Sequence, residues 1–367
     1  MSTTTFLPGN PTLTVDGSPN IRCPDELLDR YQSVIGDLRL SWTEYLRLSR
    51  RLGSGGQGVV YLSERKGADG FTLPVALKVF SPARYDDARA YDEAMSRIAL
   101  VSARVAQIQQ DNLLDVQNFV ERNRIRIMEM EWVDGYDLNR LLTRQMLSRT
   151  HDRVSNRRWE YLNNVIVTSG PTQPRLKPGP AIAIVRECLA ALAALHREGI
   201  VHSDIKPSNI MLKRTGNAKI VDIGSAFEVI DQPVPRTCTP QYAAPEVLEG
   251  GECTPRSDLA SLGYVLIEML AGIPPFIGLM NYRELLEAKR ALPHRLHQLL
   301  PQDIACNELL MNFCRGLIAP DPNLRFPSAE AADMVKDGAA SFLRQLVKGD
   351  LASEYENEIR LWLEELE

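Results

Sequence analysis

Over the first third of the chain, apolar residues come in short runs that alternate or carry β-branched and aromatic side chains. Tyr45 to Leu52, Val59 to Glu64 and Phe71 to Phe80 predict strands, with glycine-rich turns between them. Ala83 to Gln110 predicts one long helix. Phe119 to Met130 predicts two strands around a turn at Glu121-Arg122-Asn123. From Asp137 onward the period becomes helical. Ala181 to His196 puts Ile184, Cys188, Leu192 and Leu195 on one stripe. Residues 200–224 hold short strand-like runs, and further helices are expected near 257–271, 281–290, 303–316 and 328–347. A strand-rich beginning and a helix-rich remainder predict two lobes with a cleft between them, where ligands prefer to sit.

Four segments depart from this pattern. Residues 1–24 are rich in Thr, Pro, Gly and Asn and read as a flexible tail. Residues 25–44 read as a helical lead-in, with Leu27, Leu28, Tyr31, Ile35 and Leu38 near helical spacing. Residues 143–180 carry Arg144, Arg149, Arg153, Arg157, Arg158, Arg175 and Lys177 against Asp152 and Glu160, and end in a Pro/Gly-rich stretch. They read as a basic insertion between two helices: a solvated loop, or else a site for an acidic partner or for the acidic C-terminus. That C-terminus, 348–367, places Asp350, Glu354, Glu356, Glu358, Glu364, Glu365 and Glu367 around a Leu351, Tyr355, Ile359, Trp362, Leu366 stripe, an acidic amphipathic helix.

Composition narrows the function classes. A net charge of -5 over 367 residues gives no general drive toward nucleic acid or anionic membranes. The six cysteines form no CxxC pair and only five histidines are present, so no zinc framework is expected and reduced cytoplasmic thiols are. The N-terminus has no basic region followed by an apolar run. Ala181 to Leu195 is interrupted by Arg186 and Glu187, so no membrane span is expected.

The chemistry-bearing residues fall in order. Gly53-Ser54-Gly55-Gly56-Gln57-Gly58 lies between two strand patterns, and glycines let backbone N–H groups approach phosphate oxygens. A strand follows it rather than a helix, which argues against a dinucleotide fold. On Val75-Ala76-Leu77-Lys78, Ala76 and Lys78 share one face, and a lysine on an apolar strand calls for an anion. Val201-His202-Ser203-Asp204-Ile205-Lys206-Pro207-Ser208-Asn209 gathers a carboxylate, an ammonium and a carboxamide on one loop. Asp204 can accept the proton of an attacking hydroxyl, Lys206 can offset phosphate charge, and Asn209 offers a neutral oxygen to magnesium. Asp222, in Val221-Asp222-Ile223-Gly224, adds a second magnesium ligand.

In order and spacing these motifs resemble the eukaryotic-type serine/threonine protein kinase family over about 45–345. The resemblance rests also on Glu131-Trp132-Val133-Asp134-Gly135 as a hinge, Ala243-Ala244-Pro245-Glu246, Ser257-Asp258 to Gly263, Gly272 to Phe276 and Asp321 to Arg325. It implies an α+β bilobal fold, with a small antiparallel N-lobe sheet and one helix (45–131) and a larger helical C-lobe (132–347). It implies ATP and Mg2+ as cofactors and a protein substrate with Ser or Thr. Val60, Ala76, Met130, Glu131 and Val133 would line the nucleotide pocket, and Lys78, aligned by Glu93, would hold the α- and β-phosphates. A Glu246–Arg325 ion pair and Asp258 holding the catalytic loop are implied as structural. Lys206 and Thr239 mark serine/threonine rather than tyrosine specificity.

The departures are specific. Ser203 replaces the arginine that pairs with an activation-segment phosphate, and serine cannot make that contact. Activity independent of phosphorylation, at Thr237 for example, is therefore expected. Ile223 replaces phenylalanine and should pack on His202. Cys238 replaces glycine and reads as an inert thiol rather than a redox switch. Glu93 is the sole glutamate between Val79 and Gln110, but it lies roughly two turns further from Asn112 than the family's spacing. A pseudokinase would show decay at Lys78, Asp204, Asn209 or Asp222, and none is decayed. A small-molecule kinase would lack Lys206 and the Ala244-Pro245-Glu246 closure, and a nucleic-acid binder would need aromatic interleaving in 143–180.

Overall fold

The computed structural model describes residues 48–233, 238–279, 281–348 and 355–366. The predicted tail, the lead-in helix, the start of the first strand, Thr237, Asp350, Leu351, Glu354 and Glu367 lie outside the described residues.

The first lobe is an antiparallel sheet of β1 (Arg50–Gly55), β2 (Gly58–Lys66), β3 (Thr72–Phe80), β4 (Val116–Arg122) and β5 (Ile125–Glu131) in the order β1-β2-β3-β5-β4. β3 is central. Val75, Ala76, Leu77 and Phe80 are buried, and the register sets Val60 opposite Lys78 and Ala76 opposite Met130. The β4–β5 turn falls at Asn123-Arg124, both at positive φ, as a two-residue hairpin connection requires. The helix α1 is shorter than expected, Ala88–Val105. Pro82 opens a separate 3-10 turn, and the Asp87 carboxylate accepts the Ala90 N–H at 2.7 Å, so the helix starts there.

The second lobe begins with β6 (Gly135–Asp137) and α2 (Leu138–Leu141). The basic segment then folds into α3 (Arg144–Arg153), α4 (Asn156–Val165) and the ribbon β7 (Val167–Thr168) with β8 (Arg175–Leu176). It is not a solvated loop, because Leu162, Ile166, Val167 and Leu176 are fully buried. Next come α5 (Pro178–Arg197), β9 (Ile200–Val201), β10 (Ile210–Lys213), β11 (Ala218–Ile220) and β12 (Phe227–Glu228). The three strands β11-β10-β6 form one sheet, and β12 pairs with β9. The remaining helices are α6 (Pro245–Leu248), α7 (Pro255–Ala271), α8 (Tyr282–Leu299), α9 (Gln302–Ala305), α10 (Glu308–Ile318), α11 (Ala329–Met334), α12 (Ala339–Lys348) and α13 (Tyr355–Glu364).

The core of this lobe is α5 against α7, the latter buried from Ser257 to Ala271. By length and hydropathy α5 could cross a membrane, yet 72% of its apolar window is buried in the fold. The two charges that interrupt it have partners: Arg186 donates to Asp333 at 2.7 Å, and Glu187 accepts from the Asn217 side chain at 3.0 Å. The acidic helix α13 packs on the basic segment. Trp362 is 1% exposed and donates to the Thr150 hydroxyl at 3.2 Å. Arg158 donates to Glu365 at 2.7 Å and to Glu358 at 3.4 Å, so the two oppositely charged segments meet within one chain.

Candidate active site

Every predicted nucleotide-site residue except Glu93 lines one cavity of about 730 Å³ between the glycine loop and the catalytic loop. The loop joining β1 to β2 forms its roof. Gly58 is required there: its φ is +144°, and a Cβ would sit 2.0 Å from the Val79 carbonyl oxygen. Val60, Ala76, Met130 and Val133 form apolar wall. Glu131 also lines the wall, but its carboxylate is engaged by Lys219 at 2.5 Å and by the Asp115 N–H at 2.7 Å.

Lys78 is 4% exposed on β3 and points into this cavity. It donates to the Asp222 carboxylate and to the Gln57 side-chain carbonyl at 2.5 Å. The other end of that amide donates to the Ser225 hydroxyl at 2.7 Å. Asp222 lies at φ +63°, and its carboxylate accepts the Gly224 N–H at 3.1 Å. Burial alone would raise its pKa. The Lys78 charge, the Lys78 hydrogen bond and the Gly224 N–H outweigh that and hold the carboxyl below its ordinary value. A Cβ at Gly224 would fall 2.2 Å from Gln57 Oε1 and 2.6 Å from Lys78 Nζ, so a larger residue there would displace the ends of these two side chains.

Glu93 is not the partner of Lys78, contrary to what the resemblance implies. It lies exposed on α1 and pairs with Arg89 at 2.8 Å. The nearby Asp92 pairs with Arg124 at 2.7 Å and Arg126 at 2.9 Å. These are the only carboxylates of α1. The helix turns Met95, Val101 and Val105 inward instead, and Lys78 is held by Gln57 and Asp222.

On the catalytic loop, Asp204 accepts from Lys206 at 2.6 Å and from the Thr239 hydroxyl at 2.7 Å. Lys206 also donates to Thr239 at 3.0 Å. Asn209 donates to the Asp204 main-chain carbonyl at 2.8 Å, which turns its amide nitrogen toward the loop. The loop is fastened from below. Asp258, 1% exposed on α7, accepts the main-chain N–H groups of His202 at 2.9 Å and Ser203 at 2.8 Å. It also faces His196 at 2.9 Å. Ser203 is at φ +69°, so these two bonds hold a conformation that a serine rarely adopts. His202 is fully buried, with Nδ1 on the Asp204 N–H and Nε2 on the Val221 carbonyl. It packs the loop, with both ring nitrogens engaged by main chain. Below the cavity, Arg325 makes a bidentate pair with Glu246, both contacts at 2.7 Å.

Two site residues carry roles that sequence reasoning did not give them. Thr239, noted only for specificity, touches the Asp204 carboxylate directly. Gln57, taken as a loop position, reaches Lys78 with its side chain. A glutamine at the tip of a glycine loop gives no pattern that announces such a bond.

The protein kinase domain family matches residues 46–335. Serine/threonine-protein kinase PknD of Mycobacterium tuberculosis is 34% identical over 236 residues, 63% of this chain and 30% of the relative. Serine/threonine-protein kinase PrkC of Bacillus subtilis is 28% identical over 303 residues, 81% of this chain and 40% of the relative. PknL of Mycobacterium bovis is 32% identical over 234 residues, 62% of this chain and 49% of the relative. The chain thus spans less than half the length of these relatives. Matched over most of its length, with the glycine loop, Lys78, Asp204, Asn209 and Asp222 around one cavity, the chain belongs to the protein kinase family.

Proposed function

We propose that this chain transfers the γ-phosphoryl group of Mg-ATP to serine or threonine hydroxyls of a protein substrate, without needing a phosphate on its own activation segment. One observation carries the reading: Lys78, Asp204, Lys206, Asn209, Asp222 and Thr239 line one cavity beneath a glycine loop. The relatives, both serine/threonine-protein kinases by name, support the acceptor class.

Catalysis of this kind is mostly positioning and charge compensation. The glycine loop covers the phosphates, and Lys78 exchanges its contact with Gln57 for phosphate oxygens. Asp204 accepts the hydrogen of the incoming hydroxyl, and Lys206 steadies the phosphate being transferred. Asp222 and Asn209 fit magnesium: they offer a carboxylate and a carboxamide, and this ion takes few protein ligands beside phosphates and water. Bound there, it would neutralise charge on the phosphates.

Cys188 and Cys314 are fully buried, and burial pushes both thiols up, Cys314 to about 12, so both pack as inert groups. That suits a reducing, cytoplasmic setting for this part of the protein. A nucleotide-binding scaffold without turnover is the second reading, favoured by the missing α1 carboxylate at Lys78. Incubation with labelled ATP, magnesium and dephosphorylated casein separates the two. Label on serine or threonine supports transfer, and absence of any turnover supports the scaffold.

A further inference from the structure

Lys289 takes no part in the chemistry above, yet its side chain is fully buried on α8. Its amine lies 4.1 Å from the ring centre of Tyr264 on α7 and 4.0 Å from that of Phe276. Those rings pack edge to face at 5.1 Å and make two walls around it. The third contact is main chain: Nζ donates to the Gln241 carbonyl at 2.7 Å. Among the described residues, Cys238 is the ionisable neighbour that bears on it through space. A buried amine costs free energy that an apolar side chain would not. The position therefore does something an apolar residue cannot, and that is to hold a carbonyl.

The carbonyl it holds is next to the reacting centre. Gln241 sits in a closed turn, where the N–H groups of Tyr242 and Ala243 donate to the Thr239 carbonyl at 2.9 and 3.0 Å. Thr239 begins that turn and donates its hydroxyl to Asp204 at 2.7 Å. Tyr242 fastens the turn's far side through Glu268 at 2.6 Å. Thr239 lines the cavity beside Asp204, so this turn borders the approach to that carboxylate.

We propose that Lys289 is a positioning residue for the phosphoryl acceptor, its amine fixing the Thr239–Ala243 turn on which an extended serine- or threonine-bearing segment lies. The proposal rests on the functional reading above. Burial lowers the amine's pKa to about 6, and an amine donates a hydrogen bond in either protonation state, so no counter-ion is needed for this task.

The test compares Lys289→Met and Phe276→Leu with the wild type in steady-state kinetics on dephosphorylated casein and ATP. Lys289→Met loses the donor, and the KM for casein is expected to rise about tenfold with the KM for ATP unchanged. Phe276→Leu loosens the cage and keeps the amine, and a rise of about threefold in the casein KM alone is expected. Should Lys289→Met fail to fold, Phe276→Leu decides. Casein KM values within twofold of the wild type in the folded variants overturn the proposal. So does a parallel change in both KM values that follows loss of thermal stability. A wild type that transfers no phosphate contradicts the functional reading, and the proposal with it, which is a different result from unchanged variants.

Discussion

The Thr239 hydroxyl donates to the Asp204 carboxylate at 2.7 Å while it accepts from Lys206 at 3.0 Å. Thr239 is thereby joined to two side chains of the loop that carries Asp204 and Lys206. Thr239→Ala removes a bond that orients the carboxylate. It is expected to lower kcat by about 10- to 100-fold with ATP affinity retained, and Thr239→Ser is expected to recover most of the loss. Single-turnover transfer and nucleotide titration check this. Equal activity of the alanine variant would show that the bond does not serve catalysis.

Glu93 sits on the solvent face of α1 with Arg89. Glu93→Ala is expected to leave the KM for ATP and kcat within about twofold of the wild type, as for other exposed ion pairs. Lys78→Met, by contrast, is expected to abolish productive nucleotide binding. A tenfold loss in the Glu93 variant would mean that α1 swings to bring this carboxylate to Lys78 when nucleotide binds.

Lys289 gives a pH signature in stability. Its folded pKa is about 6, below the ordinary value of about 10.4 for lysine. Below pH 6 both states hold the proton and the folded state bears the full cost of a buried charge. Between the two values the unfolded chain binds more protons, so stability rises with pH, by up to about 1.4 kcal/mol per unit. Lys289→Met lacks this contribution. Urea midpoints of the two proteins at pH 6.5 and pH 9 are expected to shift in favour of the wild type at the higher pH. A constant difference would contradict the burial of a titrating amine.

Ser203 occupies the place from which an arginine would reach an activation-segment phosphate, and its N–H is tied to Asp258 at 2.8 Å. Phosphatase-treated protein and Thr237→Ala are both expected to keep at least about half of the wild-type kcat, because the serine at 203 offers no guanidinium to the phosphate. Loss of activity after phosphatase treatment that rephosphorylation restores, together with loss in Thr237→Ala, would show another cation doing that work.

The architecture was legible in the sequence where period and motif spacing agree. β2, β3, α5 and α7 fall close to their expected positions because each is fixed by local pattern: alternation, glycine breaks and apolar stripes. The motif residues were legible because their spacing is set by the loops that carry them. The partner of Lys78 was not, since a contact between α1 and β3 depends on helix rotation, and Glu93 satisfied composition without satisfying geometry. Residues 143–180 looked like a loop because their helices are short and charged. One partner of this segment, Trp362 on Thr150, is 212 positions away, where no local period can announce it. Lys289 was invisible for a related reason: a lysine on an amphipathic helix reads as a surface residue until its neighbours are known.

Asp204 is expected to act on the acceptor rather than on the nucleotide. The direct measurement is Asp204→Asn, compared with wild type for fluorescent ATP binding and for transfer of labelled phosphate to casein, both with magnesium present. Transfer is expected to fall by at least about 1,000-fold while the ATP dissociation constant stays within about threefold. Transfer that persists within tenfold of the wild type, or nucleotide binding that disappears along with it, would contradict the assignment.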